Sequence, residues 1–452
     1  MENKIDELSD EKKEKLEDFI SDQIADNNIP GISIAIVEDD QVKYSKGFGA
    51  RDLKKNLPAT KDTLYGVASI TKSFTAAAVM KLAEKGKLEL DDSVNKYLPV
   101  KWGDEVTIHN LLTHSSGMPS LGMSEALIDR MIEMDERGIS LSSLDDFYIH
   151  LNSAENEIAD EPGERFFYFN SGYALLGQII KEVTGMKYSE FVKENILRPL
   201  DMKRSRFAYE KEGDIMTPYF MEDDQPRSTP YPLREIGHPG GGLLTSVSEL
   251  SNYLIMNMNK GEFDGKQILE PSSLEKIHSR HIKREVGDYG YGWGIDVFKG
   301  EELIGHSGSI AVSGGYIGFT DKYGVAVASN SIPSVSLAEI GKWVLALMMD
   351  KNPDENTYFK RKERMEKVIG EYESYRGIKK AAIEKESGLL KLTFKERLEK
   401  ETVILIPKSK DIDDYEFYYL GADGEEYDVA FEVEDNCDMD LYIGRWRLHK
   451  TK

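Results

Sequence analysis

The sequence predicts an α/β fold, an antiparallel sheet with flanking helices, followed by a β-rich C-terminal domain. Three observations support this. An apolar helical stripe is followed at once by two strand-like runs near the N-terminus, a second helical stripe recurs near residue 340, and beyond residue 370 the chain breaks into short strand-like segments divided by turn residues. The length of 452 residues exceeds the usual single domain, and 40% hydrophobic content is ample for a sizeable core.

Taken in order, Leu16, Phe19, Ile20 and Ile24 recur at helical spacing. Ile32 to Val37 and Val42 to Phe48 then read as two strands joined at Glu38-Asp39-Asp40-Gln41. Leu337, Ile340, Val344, Leu347 and Met348 mark a helix able to pack on the same sheet. Asp350 to Asn356 is polar and interrupted by Pro353, so a boundary is expected there: residues 1–350 form one domain, 351–369 a charged connector and 370–452 a barrel-like domain. In the last of these, Ile378 to Ile383, Leu389 to Phe394, Val403 to Ile406, Phe417 to Leu420, Val429 to Val433 and Leu441 to Trp446 are strand-like, which suggests a small barrel or sandwich.

The chemistry concentrates at Ser69-Ile70-Thr71-Lys72. A serine hydroxyl is a poor nucleophile until a base takes its proton, and a lysine three residues later on a helix lies one turn away on the same face. The helix-forming run Phe74 to Ala83 places Ser69 at or near a helix N-terminus, where free N–H groups favour a developing anion. The same spacing occurs at Ser9/Lys12, Ser93/Lys96 and Ser273/Lys276, all in polar or charged stretches that read as solvated surface.

Two further segments give Ser69 company. Tyr168-Phe169-Asn170 follows the turn-like Glu161-Pro162-Gly163-Glu164 and enters a helix; its tyrosine can relay a proton and its asparagine can hold a carbonyl. A core aromatic beside a helix cap is the alternative. His306-Ser307-Gly308-Ser309 lies in a strand-like run, where glycine lets a ligand approach the backbone closely; a turn histidine bonded to nearby backbone is the alternative. The rival His238-Pro239-Gly240 loses a donor at its proline and leads into a turn, so His306 is preferred.

With S-x-x-K, Y-x-N and H-x-G in that order, the chain resembles the class C β-lactamase and D-peptidase family, often called CubicO-type and related to penicillin-binding proteins. Leu111 to Pro119, Gly240 to Ser246 and Tyr289 to Gly294 also look like segments of that family, and the resemblance covers about residues 10 to 350. It implies a β-lactamase-like fold with an inserted helical region. Some members carry a lipocalin-like C-terminal barrel, which the tail resembles. For the site it implies catalytic Ser69, Lys72, Tyr168 and His306, with Asn170, Ser307, Gly308 and Ser309 binding substrate. The backbone N–H groups of Ser69 and Ser309 would form an oxyanion hole around an acyl-enzyme reaction. Where many β-lactamases have lysine, His306 is largely neutral near pH 7. That shifts the expectation toward peptides containing D-amino acids, then esters, with β-lactams third. A non-catalytic binding protein is the alternative from another class.

A net charge of -23 argues against nucleic acid or an anionic membrane as partner. The first residues, Met1 to Glu7, lack the basic and apolar regions of a signal peptide, so a cytoplasmic location is expected. The single Cys437 excludes an intramolecular disulfide, and the eight histidines form no metal-binding spacing, so neither metal nor cofactor is expected. The expected partner is a small peptide or ester, and a homo-oligomer is left open.

Overall fold

The computed structural model describes residues 8–133, 143–223, 225–386, 388–395, 400–433 and 439–451. Met1 to Glu7 and Cys437 lie outside them. The chain forms two compact units, Met1–Lys351 and Asn352–Lys452.

The first unit is built on a nine-stranded sheet whose order along the sheet is Ile282–Lys283, Asp288–Tyr289, Gly294–Phe298, Glu301–Ser309, Gly314–Phe319, Tyr323–Ser329, Gly31–Glu38, Gln41–Asp52 and Leu57–Pro58. Gly31–Glu38 is buried along nearly its whole length and pairs on both sides, Ile34 facing Val327 on one neighbour and Lys46 on the other. Its isoleucines suit that position, since β-branched side chains pack well on a pleated surface. Alternate residues point to opposite faces. Tyr316 and Val325 meet the helix Leu337–Met348 at Gly341, whereas Gly324 meets Leu254 and Met258 of the helix Val247–Met258 on the other side. The N-terminal helix Asp10–Asp26 joins Leu337–Met348 through Phe19 and Trp343, whose rings stack at 3.7 Å. The helices Thr71–Glu84 and Asn170–Thr184 share one large apolar core with Val247–Met258, Phe74 stacking on Tyr253 at 3.8 Å.

In the second unit the helix Thr357–Val368 precedes a closed eight-stranded barrel. Its strands are Gly370–Glu373, Lys380–Glu386, Leu389–Lys395, Lys400–Pro407, Glu416–Leu420, Glu426–Val433, Met439–Ile443 and Trp446–Lys450, and Tyr372 pairs with Lys450 to close it. Closure leaves no open sheet edge. Tyr372, Leu392, Leu405, Phe417, Phe431, Leu441 and Leu448 pack together in its core.

Two strands differ from the sequence expectation. The run Leu441 to Trp446 spans the end of one strand, a turn at Gly444 with φ +55°, and the start of the next. Gly370–Glu373 offers one buried apolar side chain, Tyr372, too little for a pattern to show.

Candidate active site

Ser69 sits in a 3-10 turn, Ala68–Ile70, that runs directly into the helix Thr71–Glu84. Ala68 has φ +49°, a left-handed conformation that L side chains rarely adopt. Local side chains hold the turn: Thr71 Oγ1 donates to the Ala68 carbonyl at 2.7 Å and Ser73 Oγ to the Ile70 carbonyl at 2.8 Å. Strain held this way is typical of functional sites.

One helical turn on, Lys72 is fully buried, with Nζ 3.1 Å from Ser69 Oγ, 2.8 Å from Asn170 Oδ1 and 2.7 Å from the Gly240 carbonyl. Desolvation pulls its pKa down from 10.5 to about 7, and the charge of Glu125 opposes that fall. The amine is therefore close to balance between base and cation at neutral pH. Its nitrogen also lies 4.8 Å from the Tyr168 ring centroid and 5.4 Å from that of Tyr173.

Burial, aided by the charge of Glu125 and opposed by the nearby Ser69 hydroxyl, raises the pKa of Tyr168 well above the usual phenol value. It stays protonated, able to give or pass on a proton but not to persist as phenolate. Asn170 opens the helix Asn170–Thr184; with its carbonyl oxygen on Lys72, its amide donates to Ser124 Oγ at 2.9 Å and Glu125 Oε1 at 3.3 Å. Between Tyr168 and Asn170, the Phe169 N–H donates to His114 Nδ1 at 3.0 Å. The His114 ring lies 4.3 Å from that of Tyr168, and burial holds it neutral.

The strand Glu301–Ser309 forms the other wall. Its neighbour Gly294–Phe298 pairs only as far as Gly305, so residues 306 to 309 keep a strand partner only on the side of Gly314–Phe319. Gly308 is required by close approach: a Cβ there would stand 2.1 Å from the Val67 carbonyl oxygen and 2.8 Å from Ser69 N. Ser307 and Ser309 are exposed, and Ser309 lines the same cleft as Ser69. His306 bonds elsewhere. Its Nδ1 lies 2.6 Å from the Ser307 carbonyl, which can only accept, so Nδ1 carries the proton and Nε2 accepts from Tyr289 Oη at 3.0 Å. Burial and the charge of Lys72 lower its pKa to about 3.

The structure thus brings Ser69, Lys72 and Asn170 into one hydrogen-bonded group with the Tyr168 ring beside it, and sets the His306 ring 6.4 Å from that of Tyr168, its two nitrogens engaged with Ser307 and Tyr289. Sequence reasoning missed the roles of Ser124, Glu125, His114, Tyr289 and the Gly240 carbonyl. The segments holding His114, Gly240 and Tyr289 stood out only as family-like; Glu125 carried no signal. His238-Pro239-Gly240, passed over as the third motif, lies in a one-turn helix and contributes through its backbone. Of the other S-x-x-K serines, Ser9 and Ser93 cap helices, and Ser273 is buried rather than solvated.

The cleft has a volume of about 920 Å³ and runs from Ser69 and Ser309 along the helix Met123–Met131 toward Lys181 and Arg234. Among the described residues no cluster of three or more His, Cys, Asp or Glu could hold a metal ion, and no helix is long and apolar enough to cross a membrane. A half-buried serine bonded to a buried lysine, beside a protonated tyrosine and an amide, can support nucleophilic acyl transfer.

That class of site has relatives. Residues 16–362 match the beta-lactamase family model, and residues 353–449 match the Pab87 octamerisation domain. The octameric penicillin-binding protein homologue from Pyrococcus abyssi is 38% identical, with a TM-score of 0.90 over 97% of this chain and 100% of that one. A class C beta-lactamase shares the fold at 21% identity and a TM-score of 0.64, over 75% of this chain and 98% of that one. Protein flp of Staphylococcus aureus (strain MW2) is 28% identical over 335 residues, 72% of this chain but only 64% of the relative's length. Penicillin-binding protein 4* of Bacillus subtilis (strain 168) is 28% identical over 302 residues, 61% of this chain and 62% of that protein. The chain belongs to the beta-lactamase family, whose penicillin-binding-protein-like members are serine hydrolases.

Proposed function

We propose that the protein is a serine hydrolase of the CubicO type that acts through an acyl-enzyme on Ser69, most readily on peptides containing D-amino acids. The observation that carries this is the buried Lys72 amine, 3.1 Å from Ser69 Oγ, with its pKa lowered to about 7. Ser69 Oγ bonds to the substrate carbonyl carbon as its proton passes to neutral Lys72. The N–H groups of Ser69 and Ser309 hold the oxyanion, and Asn170 orients the substrate. As the C–N bond breaks, Lys72 returns the proton through Tyr168 to the leaving amine. Water then adds to the acyl carbon, giving its proton to the same pair, and as the ester bond breaks that proton passes to Ser69 Oγ and the acid is released.

A neutral His306 offers no fixed cation to a substrate carboxylate, which disfavours β-lactams against other amides. The same feature supports a second reading, a carboxylesterase. The shared machinery weighs against a purely non-catalytic binding protein. The match of residues 353–449 to an octamerisation domain, with the octameric relative, supports a homo-octamer. Mass in solution tests that part, with eight times the mass of the chain expected.

The decisive chemical test is labelling with a fluorophosphonate. Wild type is expected to be modified at Ser69, and Ser69→Ala to lose both labelling and turnover while keeping its fold, because one oxygen is removed. Retention of most of the activity in Ser69→Ala would reject the nucleophile.

A further inference from the structure

Around the nucleophile, charge is distributed unevenly. The three hydrogen-bonding contacts of Lys72 are already taken by Ser69, Asn170 and Gly240, and both nitrogens of His306 are engaged with the proton on Nδ1. The Glu125 carboxylate is different. It lines the cleft and is exposed there, and among the described residues no lysine or arginine pairs with it. It accepts one hydrogen bond at each oxygen, from Asn170 Nδ2 at 3.3 Å and from Ser124 Oγ at 2.8 Å. A carboxylate has about four acceptor sites, so roughly two stay open.

The other cations that line the cleft lie farther off, and Arg130 is five residues along the helix from Glu125, about 7.5 Å at the helical rise. Lys181 is eleven residues along the helix from Asn170, about 16 Å at the helical rise. The Arg234 guanidinium reaches Met131 Sδ at 4.0 Å, at the far end of the helix that carries Glu125, about 9 Å along its axis. Lys187 is paired with Glu235 at 3.2 Å. A substrate whose carbonyl sits against Ser69 with Asn170 at its side therefore meets an anion next to the acyl carbon. That surrounding repels an α-carboxylate and is complementary to an α-ammonium.

Resting on the Ser69 acyl-enzyme reading, we infer that Glu125 recognises a free amino group on the acyl donor. The preferred substrates are then amides and peptides that begin with an unblocked D-amino acid, and the enzyme works from the amino end of the chain. The ammonium has three donors, and the open sites of Glu125 can accept from it while Asn170 keeps its bond to Lys72.

The experiment uses the full-length protein and two probes, D-alanine amide and N-acetyl-D-alanine amide. Each is tested for protection of Ser69 against a fluorophosphonate, and the matching p-nitroanilides are tested for kcat/KM. At pH 7 the free amine is expected to be favoured about tenfold over the acetylated form, the scale of one charged hydrogen bond. The preference should fade above about pH 8, where an α-amino group loses its proton. In Glu125→Gln the ratio should fall to about one, and in Glu125→Lys it should invert.

The ratio separates recognition from support. If Glu125 merely positioned Asn170, its replacement would lower both probes by the same factor and leave the preference intact. That result overturns the inference, as does equal or better protection by the acetylated probe while wild-type Ser69 labels normally. Failure of Ser69 to label at all removes the acyl-enzyme reading and the inference with it.

Discussion

The two units of the chain spend their interiors differently. Beside the cleft, the first unit buries Lys72 and His114 and holds Ala68 at φ +49°, each a cost to folding. The barrel core is a cluster of apolar side chains from Tyr372 to Leu448 with Leu392, Phe417 and Phe431 between them. In the first unit buried polarity gathers beside Ser69; in the second the buried Asp440 is paired with Arg447 and His449, and the middle of the barrel is apolar. Substitutions in the first should therefore cost reactivity more than fold, and in the second the reverse.

The largest effect is expected from Lys72→Met. It removes the proposed base and leaves Asn170 Oδ1 and the Gly240 carbonyl without their donor. Loss of a positioned general base costs about 10²–10⁴ in rate, and kcat/KM with the rate of fluorophosphonate labelling will report it. Gly308→Ala comes next. Its new methyl would have to push the strand away from Val67 and Ser69 N, where even 1 Å of displacement costs about 10². Both variants should keep the thermal transition of the barrel, and loss of that transition would break the contrast between the units.

A smaller effect appears in the pH profile. Only neutral Lys72 can accept the serine proton, so kcat/KM should rise with pH to a plateau, with its midpoint near the lowered pKa of about 7. One unit below that midpoint the rate should be about tenfold under the plateau. The Glu125 charge raises the lysine pKa, so Glu125→Gln should move the rise to lower pH. His306, already down at about 3, adds no second limb in the neutral range. A rise that stays near pH 7 in Glu125→Gln would show that the carboxylate does not act on Lys72.

Which of these residues the sequence reveals depends on how they are brought together. Ser69 and Lys72 are legible because one helical turn fixes their separation. Tyr168 and Asn170 are legible as a short motif at a helix entrance. Glu125, His114, Gly240 and Tyr289 reach the site through tertiary packing: Asn170 Nδ2 meets Glu125 across 45 residues of chain, and Lys72 meets Gly240 across 168. No local pattern encodes such approaches. The same limit applies in the barrel, where Gly370–Glu373 becomes a strand because its neighbours in the closed barrel supply its partners.

The smallest effect on reactivity, and a large one on stability, is expected from Phe431→Ala. Phe431 is 3% exposed, its ring lies 5.6 Å from Phe417 and 5.9 Å from Tyr372, and its removal leaves a hole in the middle of the barrel core. Phenylalanine-to-alanine changes at such sites cost about 3–5 kcal/mol, since the surroundings collapse only in part. Calorimetry should show the barrel transition moving to lower temperature. Labelling of Ser69 by a small fluorophosphonate, measured below that transition, should proceed at the wild-type rate, because the serine, its lysine and the strand beside them all belong to the first unit. A parallel fall in labelling would mean that the state of the barrel reaches the nucleophile, and the division of labour between the two units would not hold.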